Sequence, residues 1–299
     1  MSAHGFDKVL VLGTGTMGQG IAQVVAAAGL EARVFDSEPK RVDDALAAIG
    51  KVTSRMVEKG KLDAAGRTAL LERIVKVSSL EEGASGADLC IEAIPENMDL
   101  KVEVLGRVVA AAPETCVIGS NTSSLSITEI GGRTKRGGAS IGARTIGLHF
   151  FNPPPVMELL EVVRGLATTS ELVDRALAFA KHLGKTPIVV NDSPGFATSR
   201  LGVIVGVEAI RMLEAGVASV ESIDRAMELG YRHPMGPLKL GDLVGLDVRL
   251  GILEHLHREI GEQFRPPVLL RQMVRAGKLG KKTGEGFYRW TADGVAVPR

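Results

Sequence analysis

The sequence lacks the features that mark several special classes of protein. It has only two cysteines, Cys90 and Cys116, each within an apolar run, so we expect inert core thiols rather than a disulfide framework. Its formal net charge of +1 provides no field that would attract nucleic acid or an anionic membrane. No apolar run approaches the roughly 18 residues of a membrane span, and residues 1–7 lack the basic and apolar regions of a signal peptide. We therefore expect a cytoplasmic protein with no nucleic-acid or membrane partner.

The chain is long enough for two domains, since it has 299 residues of which 45% are hydrophobic. Over its first two thirds, short apolar strands alternate with helical patterns. Strands are predicted at residues 8–13, 30–36, 74–77, 88–94, 116–121, 145–151, 158–163 and 187–191. Such alternation is typical of an α/β fold with a mostly parallel, doubly wound sheet.

The pattern changes after Asn191, where helical periodicity continues and strand signals almost vanish. The boundary between the two domains is marked by the turn-forming residues Asp192-Ser193-Pro194-Gly195. We therefore predict an α/β domain at 1–191 and an all-α domain at 192–299. Within the first domain, the Gly- and Arg-rich segment 131–145 is predicted to be a mobile connection, with RNA binding as the alternative.

A glycine motif follows the first predicted strand. Gly13, Gly15 and Gly18 form G-x-G-x-x-G, and Thr16 and Met17 open the helix that follows. The first glycine of this motif permits a tight turn, the second lets a pyrophosphate approach the backbone, and the third lets helix and strand pack closely. The helix N-terminus adds N–H donors for the phosphates. The alternative is a glycine turn in an α/β domain that binds no nucleotide.

Asp36 ends the second predicted strand, where a carboxylate of this fold binds the ribose hydroxyls. Since Asp36 would repel a 2′-phosphate, NAD is predicted as the cofactor rather than NADP. Arg33, Lys40 and Arg41 are close in sequence, and they keep NADP open as the alternative.

Further polar residues follow other strands, at the edge of the sheet where ligands bind. They are Glu96, Asn97, Lys101, Ser120, Asn121, Thr122, Ser123, His149 and Asn152. Ser120 and Thr122 taken singly are explained as cap or turn residues. Together the set indicates a site for the nicotinamide end of the cofactor.

His149 and Glu161 stand in two apolar strands that are close in sequence. Burying either group alone is unfavourable, but as a hydrogen-bonded pair they would make a general base. In such a pair the His149 imidazole accepts a proton and the Glu161 carboxylate stabilises the imidazolium. The alternative is a core histidine with a purely structural partner.

The chain resembles the L-3-hydroxyacyl-CoA dehydrogenase family, including its bacterial 3-hydroxybutyryl-CoA members, from Lys8 to Trp290. The resemblance is carried, in order, by GTGTMGQGIA, IEAIPEN, SNTSSLSIT, GLHFFNPPPVMELLEVV, DSPGF, HPMGPLKLGDLVGLD and GKKTGEGFY. It implies a Rossmann-like domain followed by a helical dimerisation domain, and thus a homodimer. It also implies reversible, NAD-dependent oxidation of an (S)-3-hydroxyacyl-CoA to a 3-ketoacyl-CoA.

The resemblance also implies roles for individual residues. His149 matches the catalytic base and Glu161 its partner. Ser123 and Asn152 match residues that hold the substrate oxygen or the nicotinamide. The positions that match NAD contacts are Asp36, Glu96, Lys101 and Lys282. The family often has asparagine where this chain has Ser199, which makes Ser199 a candidate acyl contact with an open role.

Lys51, Arg55 and Lys59 recur every four residues and so share one helical face. This face is either a site for the CoA phosphates or a solvated surface. Two other functions stay open: a dehydrogenase of a small hydroxy acid without CoA, and a non-catalytic NAD-binding relative. No metal site is indicated, since His255 and His257 are two residues apart and do not share a helix face.

Overall fold

The computed structural model describes residues 4–297, and the chain divides into two compact units, Met1–Ser193 and Pro194–Arg299. The first unit is built around an eight-stranded sheet. Its elements follow in the order β1 Lys8–Leu12, α1 Thr16–Ala27, β2 Glu31–Phe35, α2 Pro39–Glu58, α3 Ala64–Glu72, β3 Ile74–Lys76, α4 Leu80–Ala84, β4 Leu89–Glu92, α5 Met98–Ala111, β5 Val117–Ser120, α6 Ile127–Arg133, β6 Lys135–Arg136, β7 Ala139–Ser140, β8 Thr145–Phe150, β9 Leu159–Arg164, α7 Ser170–His182 and β10 Thr186–Asn191.

The spatial order of the sheet is β10-β9-β8-β5-β4-β1-β2-β3. Every neighbouring pair is parallel except β8 and β9, which run antiparallel. This confirms the predicted Rossmann-like sheet with mostly parallel strands. The central strands read as continuous apolar runs because helices cover both faces of such a sheet.

The segment 131–145 was predicted to be a mobile connection, but it contains regular structure, since part of it forms a short hairpin. Strands β6 and β7 pair antiparallel, and a 3-10 turn follows at Gly142–Arg144. The Arg136 guanidinium donates to the carbonyls of Val109 and Ala112 at 2.6 and 2.7 Å. A cation is favourable at these last carbonyls of α5. Arg136 therefore has a structural role, which the composition of the segment did not reveal.

The second unit is mainly helical, as predicted. It contains α8 Thr198–Glu214, α9 Val220–Gly230, α10 Pro237–Val244, α11 Leu246–Glu259, α12 Val268–Arg275 and the two-residue strands β11 Arg289–Trp290 and β12 Ala296–Val297. The hairpin of β11 and β12 is the departure from the all-α prediction. Its strands are too short to leave a periodic signal in the sequence.

Two buried carboxylates organise this unit. Asp224 accepts from the Leu238 amide at the start of α10 and from the Tyr288 hydroxyl, both at 2.8 Å. Asp242 accepts from the amides of Phe287 and Tyr288, each at 2.8 Å. Burial raises the pKa of both carboxyls above the ordinary range, although these hydrogen bonds oppose the shift.

The same contacts explain part of the two C-terminal motifs. A Cβ at Gly236 would lie 2.2 Å from Asp224, and one at Gly286 would lie 2.1 Å from Asp242. Any side chain at either position would displace a buried carboxylate from its donors. Gly236 of HPMGP and Gly286 of GEGFY are therefore required by packing within the second unit.

No helix among residues 4–297 is both long enough and apolar enough to cross a membrane. Cys90 and Cys116 are buried free thiols, and burial raises the pKa of Cys116 to about 11.

Candidate active site

The strands β8 and β9 place an imidazole directly opposite a carboxylate. His149 and Glu161 are partners in the antiparallel register, and His149 Nδ1 lies 2.7 Å from Glu161 Oε2. Glu161 is fully buried and His149 is 6% exposed. Facing side chains of an antiparallel pair point to the same side of the sheet. The register thus brings together the two groups that the sequence marked as exceptional.

This contact determines what the imidazole can do. A carboxylate at Nδ1 favours the tautomer with the proton on Nδ1, which places the basic lone pair on Nε2. When Nε2 takes a proton, the buried carboxylate stabilises the imidazolium, as in the Ser-His-Asp template. The ring of Phe151 lies beside the imidazole, with centroids 4.5 Å apart, and covers one side of it. The pair therefore has the chemistry of a general acid–base catalyst.

The three glycines of the nucleotide motif have three different surroundings. Gly13 has φ of +83°, and a Cβ there would lie 2.7 Å from the Ala93 carbonyl oxygen. A Cβ at Gly18 would lie 1.7 Å from the Gly13 oxygen. At Gly15 a Cβ would meet no atom of the described residues within 4 Å. The first and third glycines are thus needed by the fold, and the second leaves the open space that a pyrophosphate needs.

Asp36 is held at the end of β2 by the glycine turn itself. Its Oδ2 accepts from the Thr14 amide at 2.8 Å and from the Thr14 hydroxyl at 3.1 Å. Its Oδ1 accepts from the Glu38 amide at 3.1 Å. Thr14 was not among the site residues predicted from the sequence. These donors fix the carboxylate that would bind the ribose hydroxyls.

The three basic residues that left NADP as an alternative cofactor each form an ion pair with a nearby carboxylate. Arg33 pairs with Glu31 at 2.6 Å and donates to the Ser85 carbonyl at 2.5 Å. Lys40 pairs with Asp44 at 2.6 Å, and Arg41 pairs with Glu38 at 2.9 Å. Each of these basic side chains therefore has a partner within the protein.

Beside the nucleotide motif, at the end of β4, lies a buried ion pair. Lys101 is 1% exposed and Glu92 is fully buried, and the Lys101 ammonium donates to Glu92 Oε1. It also donates to the Ile94 carbonyl at 3.2 Å and lies 3.3 Å from Glu96 Oε2. The ammonium of Lys101 is thus surrounded by protein acceptors, and its match to an NAD contact stays a prediction. Glu92 was missed, although a carboxylate in the apolar run DLCIEAI is the same signal that identified Glu161.

Glu96 connects this pair to the segment after β5. Its Oε1 accepts from the Thr122 hydroxyl, from the Ser123 amide at 3.2 Å and from the Ser124 hydroxyl at 2.9 Å. Partial burial acts to raise the pKa of Glu96, but the Lys101 ammonium and the hydroxyl donors outweigh it and hold the pKa below its ordinary value. Ser123, the candidate oxygen-binding residue, is carried on this anchored segment and is half-buried.

The loop after β8 is anchored from two sides. Lys185 donates to the carbonyls of Pro154 and Met157 at 2.6 and 2.8 Å. Pro154 packs on α1, where a Cβ at Gly20 would lie 2.6 Å from its ring. Asn152 begins this loop and is exposed, and its peptide bond to Pro153 is cis. The loop that carries Asn152 therefore rests on the helix of the nucleotide motif.

Asn121 ties the end of β5 to β8, because its side-chain oxygen accepts from the Phe150 amide at 2.9 Å. This hydrogen bond holds the backbone of Phe150, the residue that follows His149.

Three of the remaining candidates lie on or just after α2, and two belong to the second unit. Lys51, Arg55 and Lys59 are exposed on α2 or just after it, and they form no ion pair in the part of the chain that the structure describes. In the second unit, Ser199 is half-buried in the first turn of α8. Lys282 is exposed and pairs with Asp247 at 2.6 Å. The roles of these residues stay predictions.

Within residues 4–297, no group of three or more histidine, cysteine, aspartate or glutamate side chains is arranged to hold a metal ion.

Comparison with known proteins covers both units. A family model described as "3-hydroxyacyl-CoA dehydrogenase, NAD binding domain" matches residues 8–193. A second, described as "3-hydroxyacyl-CoA dehydrogenase, C-terminal domain", matches residues 195–290.

Individual relatives cover almost the whole chain. A probable 3-hydroxybutyryl-CoA dehydrogenase of Bacillus subtilis is 45% identical over 282 residues, which are 94% of this chain and 96% of that protein. A 3-hydroxybutyryl-CoA dehydrogenase of Clostridioides difficile is 41% identical over 94% of this chain and 98% of its own length. The crystal structure of (S)-3-hydroxybutyryl-CoA dehydrogenase from Ralstonia eutropha is similar with a TM-score of 0.90 and 41% identity, over 96% of this chain and 99% of that one.

Proposed function

The chain belongs to the 3-hydroxyacyl-CoA dehydrogenase family, and we propose that it interconverts short-chain (S)-3-hydroxyacyl-CoA and 3-ketoacyl-CoA with His149 as the general base. It is an NAD-dependent oxidoreductase. The observation that carries the catalytic assignment is the buried contact between His149 and Glu161. The short acyl chain follows the names of the relatives, several of which are 3-hydroxybutyryl-CoA dehydrogenases.

The residues present fit the cofactor. The open space at Gly15 admits a pyrophosphate at the N-terminus of α1, and Asp36 presents a fixed carboxylate to the ribose. Bound NAD would supply the acceptor for the hydride that leaves the carbinol carbon of the substrate.

The protein handles the proton and the developing charge. In oxidation, His149 Nε2 takes the proton of the substrate hydroxyl, and the Glu161 carboxylate stabilises the imidazolium. In reduction the same imidazolium returns the proton to the oxygen. The Ser123 hydroxyl donates to that oxygen as negative charge develops on it, and Asn152 adds a second polar contact at this position. One donor of this kind is typically worth about 3 kcal/mol of barrier.

Two further features complete the proposal. The exposed cations Lys51 and Arg55 on α2 would bind the CoA phosphates, with Lys59 beside them. Lys282 would contact the cofactor and Ser199 the acyl group. The enzyme would act in the cytoplasm, where the buried thiols stay reduced.

We also propose a homodimer formed through the second unit. Several large apolar side chains of this unit are exposed, among them Leu201 at 66% and Val217 at 63%. Exposed apolar surface on this scale favours association with a second copy. Sedimentation at micromolar concentration should give twice the mass of 31.6 kDa, and a monomer would contradict the proposal.

The decisive test of the substrate class is NADH oxidation with a panel of 3-ketoacyl-CoA thioesters and the matching free keto acids. Turnover of the thioesters alone supports the proposal. Preference for the free acids would instead favour a dehydrogenase of small hydroxy acids. Absence of turnover with every compound would favour a non-catalytic NAD-binding protein.

A further inference from the structure

The carboxylate of Glu92 has no part in the reaction proposed above, although it stands beside the site. It is fully buried, and besides Lys101 it accepts from the Ser120 hydroxyl at 2.6 Å and the Ile94 amide at 2.9 Å. A buried ion pair adds little net stability, because the desolvation of two charges offsets their attraction. Stability alone therefore does not account for this pair.

The Lys101 ammonium connects Glu92 with Glu96. It donates to Glu92 Oε1 and lies 3.3 Å from Glu96 Oε2, so it is fixed between the two carboxylates. Lys101 begins the second turn of α5, whereas Glu92 ends β4 and Glu96 lies in the loop between them. The ion pair thus sets the path of the loop that carries Glu96.

The other oxygen of Glu96 collects donors from the segment 122–124. The Ser123 amide and the Ser124 hydroxyl donate to Oε1 at 3.2 and 2.9 Å, and the Thr122 hydroxyl donates to the same atom. One oxygen with three donors is favourable when the carboxyl is ionised, since charged acceptors make stronger hydrogen bonds. The low pKa of Glu96 agrees with this arrangement.

We propose that Glu92 is a positioning residue for Ser123. Its carboxylate fixes Lys101, Lys101 fixes Glu96, and Glu96 fixes the backbone that carries the Ser123 hydroxyl. The inference rests on the proposed function, in which that hydroxyl donates to the substrate oxygen. Small displacements of such a donor have large effects, because its contribution depends on geometry established before the reaction begins.

The test is a double-mutant cycle with Glu92→Gln and Ser123→Ala, measured as kcat for the NADH-dependent reduction of acetoacetyl-CoA. Glutamine keeps the shape of the Glu92 side chain and one acceptor oxygen, but it removes the charge and replaces the other oxygen with an NH2 donor. Ser123→Ala alone should lower kcat by about 100-fold. Glu92→Gln alone should lower kcat by about tenfold, with KM for NADH changed by less than about threefold, whereas in the Ser123→Ala background the same change should lower kcat by less than about twofold.

Glu81→Gln is the matched control. Glu81, in α4, is an exposed carboxylate that pairs at 2.8 Å with Arg107 of α5, the helix that also carries Lys101, and within residues 4–297 it forms no hydrogen bond or ion pair with Glu96. This variant should have native kcat in both backgrounds. Thermal unfolding of every variant separates a loss of folded protein from a loss of turnover.

The outcomes distinguish this inference from the function on which it rests. An equal loss from Glu92→Gln in both backgrounds would overturn the positioning role and leave the donor role of Ser123 intact. Native kcat for Ser123→Ala would overturn both. If Glu92→Gln does not fold, Glu96→Gln replaces it in the double-mutant cycle. The Glu96 side chain is 39% exposed, so its substitution should disturb folding less. Additive losses from Glu96→Gln and Ser123→Ala would then refute the inference.

Discussion

Replacement of Glu161 by glutamine keeps the shape of the side chain and removes its charge beside His149. Two full charges 2.7 Å apart attract each other by about 6 kcal/mol at an effective dielectric constant of about 20. That value is an upper limit, because the amide still offers a hydrogen bond to Nδ1. A charge-assisted hydrogen bond is worth about 1.5–3 kcal/mol net, which corresponds to a loss of about 10- to 150-fold in kcat.

His149→Gln removes the base itself and should lower kcat further, by about 10²- to 10⁴-fold. The assay is NADH oxidation with acetoacetyl-CoA at saturating concentrations of both substrates. NADH affinity, measured by direct titration, should stay near native for both variants, since the dinucleotide motif is unchanged.

His182→Gln provides the control for a histidine substitution in the same unit. His182 is exposed, and its ring nitrogen lies 3.0 Å from the Ala28 carbonyl oxygen. This variant should have native kcat. Near-native turnover of His149→Gln would refute the role of His149 as the base. A folded Glu161→Gln that is as inactive as His149→Gln would refute the supporting role of Glu161.

Three further predictions concern other parts of the molecule. Asp36→Asn should narrow the preference for NAD over NADP. Thr14→Val should narrow it less, because the amide of residue 14 still donates to the Asp36 carboxylate. An unchanged ratio of kcat/KM for NAD to kcat/KM for NADP would contradict both predictions. Ser199→Asn should alter the relative kcat/KM of short and longer 3-ketoacyl-CoA substrates by about 1–3 kcal/mol, and parallel chain-length profiles would exclude an acyl contact. The pKa of Glu96 is lowered in the folded protein, so its contribution to stability is present above the unfolded pKa and is lost as the pH falls through the folded value. Amide hydrogen exchange in segment 122–124 should therefore rise in that acidic range, and exchange independent of pH after correction for intrinsic rates would refute this.

The sequence was sufficient to predict the sheet and the contact between His149 and Glu161. The alternation of short strands and helices determined the fold class, and His149 and Glu161 were identified because each is a polar residue in an apolar strand. What the sequence could not give was their register. The antiparallel pairing of β8 and β9 is the exception in an otherwise parallel sheet, and no local pattern indicates the direction of a strand.

The parts that were missed depend on contacts between distant segments. Glu92 and Ser120 are 28 positions apart, and Thr14 and Asp36 are 22 apart. Lys101 was matched to an NAD contact through the family resemblance, and that match stays a prediction, but its burial between Glu92 and Glu96 was not foreseen. Its burial follows from the path of the loop after β4, which the residue types alone do not specify.

The separation of His149 and Glu161 along the chain has a consequence for inheritance. The two residues are only 12 positions apart, whereas the Glu96 carboxylate and the Ser123 segment are 27 apart. Recombination between related genes therefore transfers the imidazole and its carboxylate together in most exchanges. A crossover between Glu96 and Ser123 instead joins parts with different ancestries. Chimeras made from this chain should thus keep His149 together with Glu161 in most exchanges, whereas a crossover between Glu96 and Ser123 tests the positioning role proposed for Glu96.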